Sequence, residues 1–244
     1  MAIADAKTLW RMVRGQPSGA TLRERLERFY APQASRYDDF REGFLHGRGE
    51  LVARLPIAPG MTIVELGGGT GRNLDFFGDR LNELERYDLV ELSPSMAAGA
   101  RRRAASRANV RVVEADAIRF TPAEAVDCVL FSYSLTMMPD WFRAVDNAAS
   151  MLRPGGVLAV VDFYVSRRYP APGRVCHRAG TRVVWPLWFA HDGVYLSPDH
   201  LPYLESRVEP IRCEEHLGSI PYLPGLRVPW YLFVGRKAAP PGGP

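Results

Sequence analysis

From Ile63 to Asp162 the chain alternates short, nearly continuous apolar runs with longer amphipathic stretches. Ile63 to Leu66, Tyr87 to Leu92, Val110 to Glu114, Val126 to Phe131 and Val157 to Asp162 are strand-length and rich in β-branched residues. They predict strands covered on both faces. Between them the pattern predicts helices from about Asn73 to Leu84, from Pro94 through Arg107, and from Asp140 to Leu152. Ser93 is the N-cap of the second, with proline at its first helical position. Strands alternating with helices predict a parallel, doubly wound α/β sheet. Pro229 to Val234 reads as a closing strand, and Ala238 to Pro244 as a disordered tail.

The first strand runs straight into G-G-G-T-G, residues 67–71. A backbone that bends sharply and lies against a ligand has no room for a Cβ, which accounts for Gly67, Gly69 and Gly71. Spacing narrows the ligand. A dinucleotide fingerprint begun at Gly67 needs glycine at position 72, where Arg72 stands. A phosphate-binding P-loop needs a lysine at its end, and none lies between Lys7 and Lys237. Glu91, at the end of the second strand, offers two acceptor oxygens where the strand order of such sheets reverses.

What remains, E-x-G-x-G-x-G from Glu65, resembles the first motif of the class I S-adenosylmethionine (SAM) dependent methyltransferases. That resemblance implies a Rossmann-like sheet of seven strands with the last one antiparallel, an N-terminal helical cap, and an insertion before the last strands. The implied organisation is a cap over residues 1–56, a SAM-binding domain over 57–237, and a substrate-side insertion at about 163–210. It also implies that Glu91 accepts the ribose hydroxyls, and that Asp116 and Ala117 meet the adenine. Further cofactor contacts are implied at Glu65, Gly67, Gly69, Gly71, Asn73, Leu92, Met96 and Ser132.

Several segments together resemble a narrower group, the N-methyltransferases of betaine-lipid synthesis. They are the tyrosine-rich stretch from Phe29 ending in Gly47-Arg48, V-E-L-G-G-G-T-G-R-N, S-Y-S-L-T-M-M-P-D-W after the fourth strand, V-V-D-F after the fifth, and W-F-x-H-D with S-P-D-H-L-P-Y-L. The likeness runs from about Phe29 to Gly235. It implies successive methylation of the amine of diacylglyceryl-homoserine, a lipid headgroup. Tyr37 and Arg48 resemble a pair that closes over the methionine part of the cofactor in small-amine N-methyltransferases: arginine can clamp a carboxylate, and tyrosine can shield the sulfonium. Gly68 departs from the group, whose members often carry cysteine there. Cofactor binding is expected to be unaffected, since only backbone is needed.

Charge and aromatic content bear on the partner. Residues 1–60 carry +3 (10 minus 7), 61–164 carry −3 (11 minus 14) and 165–244 carry +4 (10 minus 6). From Phe163 to His191 there are five arginines and no acid, interleaved with Tyr164, Tyr169, Trp185, Trp188 and Phe189. Arginine with amphipathic aromatics suits an anionic membrane surface; a solvated loop over a small-molecule pocket is the alternative. No recognition helix, zinc finger or RNA-binding motif accompanies the charge, so nucleic acid is not expected. Cys128, Cys176 and Cys213 form neither a disulfide framework nor a metal cluster with histidine, so no metal is expected. No apolar run reaches the ~20 residues of a membrane span and no signal peptide is recognisable, so a cytoplasmic protein, peripheral on the membrane, is expected. Whether Ala2 to Gly15 is a membrane-contacting or a packing helix stays open.

Methyl transfer is an in-line displacement, so the protein mainly aligns the reactants and keeps the site dry. The amine must be neutral to attack, and an α-amino group near pKa ~8 needs only a modest shift. Tyr133 and His191 are the candidates for positioning the amine or accepting its proton, with His46 a further one. Two other functions stay open: methylation of a soluble amine or hydroxyl acceptor, and a non-catalytic SAM-binding subunit.

Overall fold

The computed structural model describes residues 21–31, 43–220 and 225–239. Its centre is a seven-stranded sheet in the order β3-β2-β1-β4-β5-β7-β6. The strands are β1 (Thr62–Leu66), β2 (Arg86–Glu91), β3 (Val110–Glu114), β4 (Val126–Ser132), β5 (Leu152–Phe163), β6 (Glu209–Ser219) and β7 (Arg227–Arg236). The first five run parallel, and β7 is antiparallel to both neighbours, β5 and β6. This is the expected doubly wound α/β topology. The order reverses between β1 and β4, which opens a crevice at the carboxyl ends of β1, β2 and β4.

The described helices are α1 (Leu22–Tyr30), α2 (Arg48–Arg54), α3 (Asn73–Phe77), α4 (Pro94–Ala104), α5 (Trp141–Met151), α6 (Ala179–Ala190) and α7 (His200–Arg207). Alternate strand residues feed two cores. Ile63, Leu89, Leu130, Val161 and Leu232 pack with Leu51, Phe77, Ala100, Trp185 and Phe189, under α2, α3, α4 and α6. Val64, Val90, Phe131, Val160 and Phe233 pack with Val145, Met151, Leu201 and Leu204, under α5 and α7. Covering both faces is the physical reason the strands read as continuous apolar runs.

Several expected boundaries shift. The helix expected over Asn73–Leu84 breaks after Phe77, because Gly78 takes φ +55°, and continues as a 3₁₀ turn to Glu83. The helix after Ser93 ends at Ala104 rather than Arg107. β5 begins at Leu152 and incorporates Arg153 to Gly156, with a register shift against β4. Between β5 and β6 the chain folds as α6 and α7, and β6, with six of its eleven residues exposed, carries no apolar alternation to announce a strand. The expected tail falls chiefly in residues 240–244 and the expected helix over Ala2–Gly15 in residues 1–20, both outside the described residues, as is Tyr37.

Candidate functional site

The glycine turn after β1 is built as its sequence requires. Gly67 and Gly69 adopt φ +74° and +58°. A Cβ on Gly67 would meet the Ser134 Cβ at 2.6 Å. The Gly67 and Gly68 amides both donate to the Val90 carbonyl, at 2.8 and 3.1 Å, which pins the loop to the end of β2. Glu91, buried there, accepts from the Gly69 amide through Oε2 and the Ser93 amide through Oε1, each at 2.8 Å. One carboxylate therefore fastens the glycine loop to the start of α4, and each oxygen keeps a lone pair for a ligand hydroxyl. Burial raises its pKa.

These elements wall a cleft open to solvent. It is lined by Arg48, Glu65, Gly67, Gly69, Asn73, Glu91, Leu92, Met96, Asp116, Ala117, Ser132 and Tyr133, which brings together most of the residues expected from sequence. Glu65 forms part of the lining, with Oε1 accepting from Asn73 Nδ2 at 2.5 Å and Oε2 from the Tyr87 hydroxyl at 2.8 Å. Its burial pushes the carboxyl up to about 7. Arg48 opens α2, is itself buried, and lies 5.5 Å from the Phe76 ring centroid. Asp116 Oδ1 accepts from the Ile118 amide at 3.1 Å, which leaves Oδ2 without a bond among the described residues. Two buried polar atoms of the lining, Asn73 Oδ1 and Ser132 Oγ, also have no hydrogen-bond partner among the described residues.

The far wall is the loop after β4. Tyr133 has φ +54°, a costly conformation for a bulky side chain and one that clusters at functional sites. Its hydroxyl donates to the His46 carbonyl at 2.7 Å and its ring packs 4.6 Å from Phe163. Asp162, fully buried, accepts from the Thr136 amide (3.2 Å), the Thr136 hydroxyl (2.7 Å) and the Phe163 amide (2.8 Å), which holds the loop in place. Burial pushes Asp162 up to about 7.

The structure bears on four of the expected roles. Gly71 does not line the cleft; a Cβ there would meet Leu74 and Leu89 at 3.3 Å and Ala100 at 3.4 Å, so its bareness serves the packing of the turn on α4. His191 is exposed, lies just past the end of α6, and is not part of the lining. Tyr133 lines the cleft, where it can position an acceptor, but its hydroxyl already donates, and burial and Asp162 push it well above the usual phenol range, which disfavours it as the proton acceptor. His46 is likewise committed, with Nε2 2.8 Å from the Ser219 carbonyl and its ring stacked on Trp230.

Sequence reasoning expected a helical cap over residues 1–56 but did not single out Leu22, Leu26 or Glu27 of α1. Leu22, Leu26 and Tyr30 line the cleft, and Glu27 Oε2 accepts from the Ser93 hydroxyl (2.7 Å), the Ser95 amide (3.1 Å) and the Ser95 hydroxyl (3.0 Å). The apolar spacing Leu22, Leu26, Phe29 was a legible sign of the helix; Glu27 had none. Nor is Gly68 indifferent. A Cβ there would meet the fully buried Leu89 Cγ at 2.5 Å, so a cysteine needs Leu89 to move.

Comparison with known proteins agrees with this geometry. Residues 63–156 match the family model described as a methyltransferase domain. Trans-aconitate 2-methyltransferase of Escherichia coli is 32% identical over 111 residues, 46% of this chain and 42% of that enzyme, so the chain spans less than half the length of the curated relatives it matches. Among solved structures, the N-methyltransferase NodS from Bradyrhizobium japonicum, bound to S-adenosylhomocysteine, superposes with TM-score 0.64 at 17% identity, over 86% of this chain and 97% of that one. A phosphoethanolamine N-methyltransferase of Haemonchus contortus gives 0.68 at 14% identity, over 91% and 61%. The chain has the class I fold of the SAM-dependent methyltransferases, and its residues 63–156 match the methyltransferase domain family.

Proposed function

We propose that this protein is a SAM-dependent N-methyltransferase whose acceptor is the amine of diacylglyceryl-homoserine, methylated in successive turns. The observation that carries the cofactor assignment is the convergence of the glycine loop, Glu91, Asp116 and Arg48 on one cleft at the carboxyl ends of the parallel strands. The residues fit the cofactor. Glu91 has lone pairs for the two ribose hydroxyls, Asp116 Oδ2 is available to an adenine amino group, and the buried Asn73 Oδ1 calls for a donor such as the cofactor ammonium. Arg48 supplies the charge for its carboxylate. Bound there, SAM supplies an electrophilic methyl group on a sulfonium.

The chain's own part is alignment and exclusion of water. Tyr133, held by the His46 carbonyl, and the Ser134 to Met138 loop, held by Asp162, fix the wall beside the carboxyl end of β4. Met137, Met138 and Leu45 make that side apolar, which favours the neutral amine that attack requires. No strong base is needed, in keeping with the commitment of Tyr133 and His46 to other bonds. The lipid acceptor is supported by the S-Y-S-L-T-M-M-P-D-W resemblance; the N-methyltransferases among the structural neighbours bear on methyl transfer to nitrogen and not on a lipid.

A second reading, a soluble acceptor, is favoured by the relative named for trans-aconitate, a small acid. Release of S-adenosylhomocysteine, followed with diacylglyceryl-homoserine vesicles, soluble amines and trans-aconitate in parallel, separates the two. Release confined to the vesicles supports the lipid acceptor, and release with a soluble compound alone removes it.

A further inference from the structure

The insertion presents a helix face that the fold leaves uncovered. Along α6 the buried side chains, Trp185 and Phe189, point inward, while Val183, Val184, Leu187 and Trp188 are 56%, 54%, 70% and 54% exposed. Their spacing, i, i+1, i+4, i+5, places all four on one side of the helix, opposite the buried pair. Four large apolar groups together differ from the scattered single residues normal on a soluble surface.

Charge selects the occupant. The acid-free stretch from Phe163 to His191 brings the exposed Arg178 to the N-cap of α6, where it has no ion pair among the described residues. Arg168, in the preceding segment, lies 5.3 Å from the ring of Tyr169, itself 79% exposed. An apolar helical face with a tryptophan, flanked by arginines that no acid neutralises, matches the boundary between acyl chains and anionic headgroups. No helix among the described residues is long and apolar enough to cross a bilayer.

The inner side of the same helix leads to the cleft. Phe189 packs 5.8 Å from Phe44 and 4.9 Å from Phe163, and Phe163 packs 4.6 Å from Tyr133. One aromatic layer thus separates the exposed face from the cleft wall. We propose that Val183, Val184, Leu187 and Trp188 dock this protein on an anionic phospholipid bilayer, which brings the mouth of the cleft to the membrane surface. The purpose of this docking rests on the lipid-acceptor reading, but its test does not.

The experiment is co-sedimentation of the full chain with phosphatidylcholine vesicles and with mixed phosphatidylcholine–phosphatidylglycerol vesicles, none containing an amine acceptor, alongside tryptophan emission. The expected result is binding to the mixed vesicles that weakens with salt, a blue shift absent from Trp188→Phe, and partitioning reduced roughly tenfold or more in Leu187→Glu/Trp188→Glu. The altered side chains are exposed, so SAM affinity and melting temperature should stay at wild-type values, separating loss of docking from loss of fold. Equal vesicle binding by the double variant, or no wild-type binding, overturns the proposal. So does a wild-type dimer in solution that the double variant converts to monomer, which would make the face a self-interface. Docking without methyl transfer to lipid leaves this proposal standing and removes the lipid acceptor; transfer without docking does the reverse.

Discussion

Replacing Glu91 by glutamine exposes how one carboxylate serves both fold and ligand. The wild-type side chain satisfies two backbone amides, of Gly69 and Ser93, each at 2.8 Å. Glutamine offers one oxygen and one donor group, so one amide loses its acceptor, at a cost of ~1–3 kcal/mol for a buried donor. At ~2–4 °C per kcal/mol for a chain of this size, melting should fall by ~2–12 °C. The ligand effect is separate. Hydrogen bonds to a charged acceptor are worth ~1.5–3 kcal/mol and neutral ones ~0.5–1.5, so two ribose hydroxyls lose ~2–3 kcal/mol between them and SAM affinity drops ~30–150-fold. Calorimetric titration measures it, and an analogue lacking the ribose hydroxyls isolates the contact. Wild type should bind the analogue ~3–6 kcal/mol more weakly than SAM, whereas for Glu91→Gln that penalty should shrink to ~1–3 kcal/mol. Wild-type affinity in Glu91→Gln, or an undiminished penalty for the analogue, would refute the assignment of Glu91 to the ribose.

Other perturbations test the supporting parts. Tyr133→Phe removes the donor of a part-buried bond to the His46 carbonyl and should lower stability by ~0.5–1.5 kcal/mol in denaturant unfolding while leaving the pH profile of turnover in place; a displaced profile would restore Tyr133 as a proton acceptor. Gly68→Cys should cost ~1–3 kcal/mol by overpacking against Leu89, and an unchanged melting temperature would show that the turn has slack. His200 is fully buried, with both ring nitrogens unpartnered among the described residues, and burial drives its pKa down to about 3. Since its folded pKa lies below the unfolded ~6.5, the unfolded chain takes up the proton first, and its contribution is lost as pH falls from 6.5 toward 3. About 2 kcal/mol should disappear by pH 5, a slope that His200→Leu should flatten; an identical acid slope in the variant would exclude His200 as its source. Glu27→Ala should free α1 from Ser93 and Ser95 and weaken SAM binding more than it lowers stability, and an unaltered dissociation rate for SAM would show that α1 does not cover the ligand.

The parts of the site carried by backbone were legible in the sequence, because glycine and strand-end acids leave local signatures. Gly67, Gly69 and Glu91 were singled out from one turn and one strand end, and Asp116 from the family resemblance. Side-chain destinations set by distant chain segments were not legible. Nothing near Tyr133 announces that its hydroxyl reaches His46, 87 positions away, and nothing near His46 announces its bond to Ser219. The arginine and aromatic content of residues 163–191 was visible, but which aromatics turn inward depends on α6 packing against Phe44 and Phe163. β6 escaped detection because an outer strand with much of its surface exposed needs no apolar alternation. Gly68 shows the converse limit: its need for a missing Cβ comes from Leu89 on the neighbouring strand, outside any local motif.

The most direct test of the account is transfer of an isotopically labelled methyl group from SAM to lipid. The protein is incubated with labelled SAM and vesicles containing diacylglyceryl-homoserine, and the extracted lipids are resolved by mass. The account predicts headgroup species carrying one to three labelled methyl groups, with Glu91→Gln slowed at subsaturating SAM. SAM binding with no label in any lipid would contradict the acceptor, and no SAM binding at all would contradict the site.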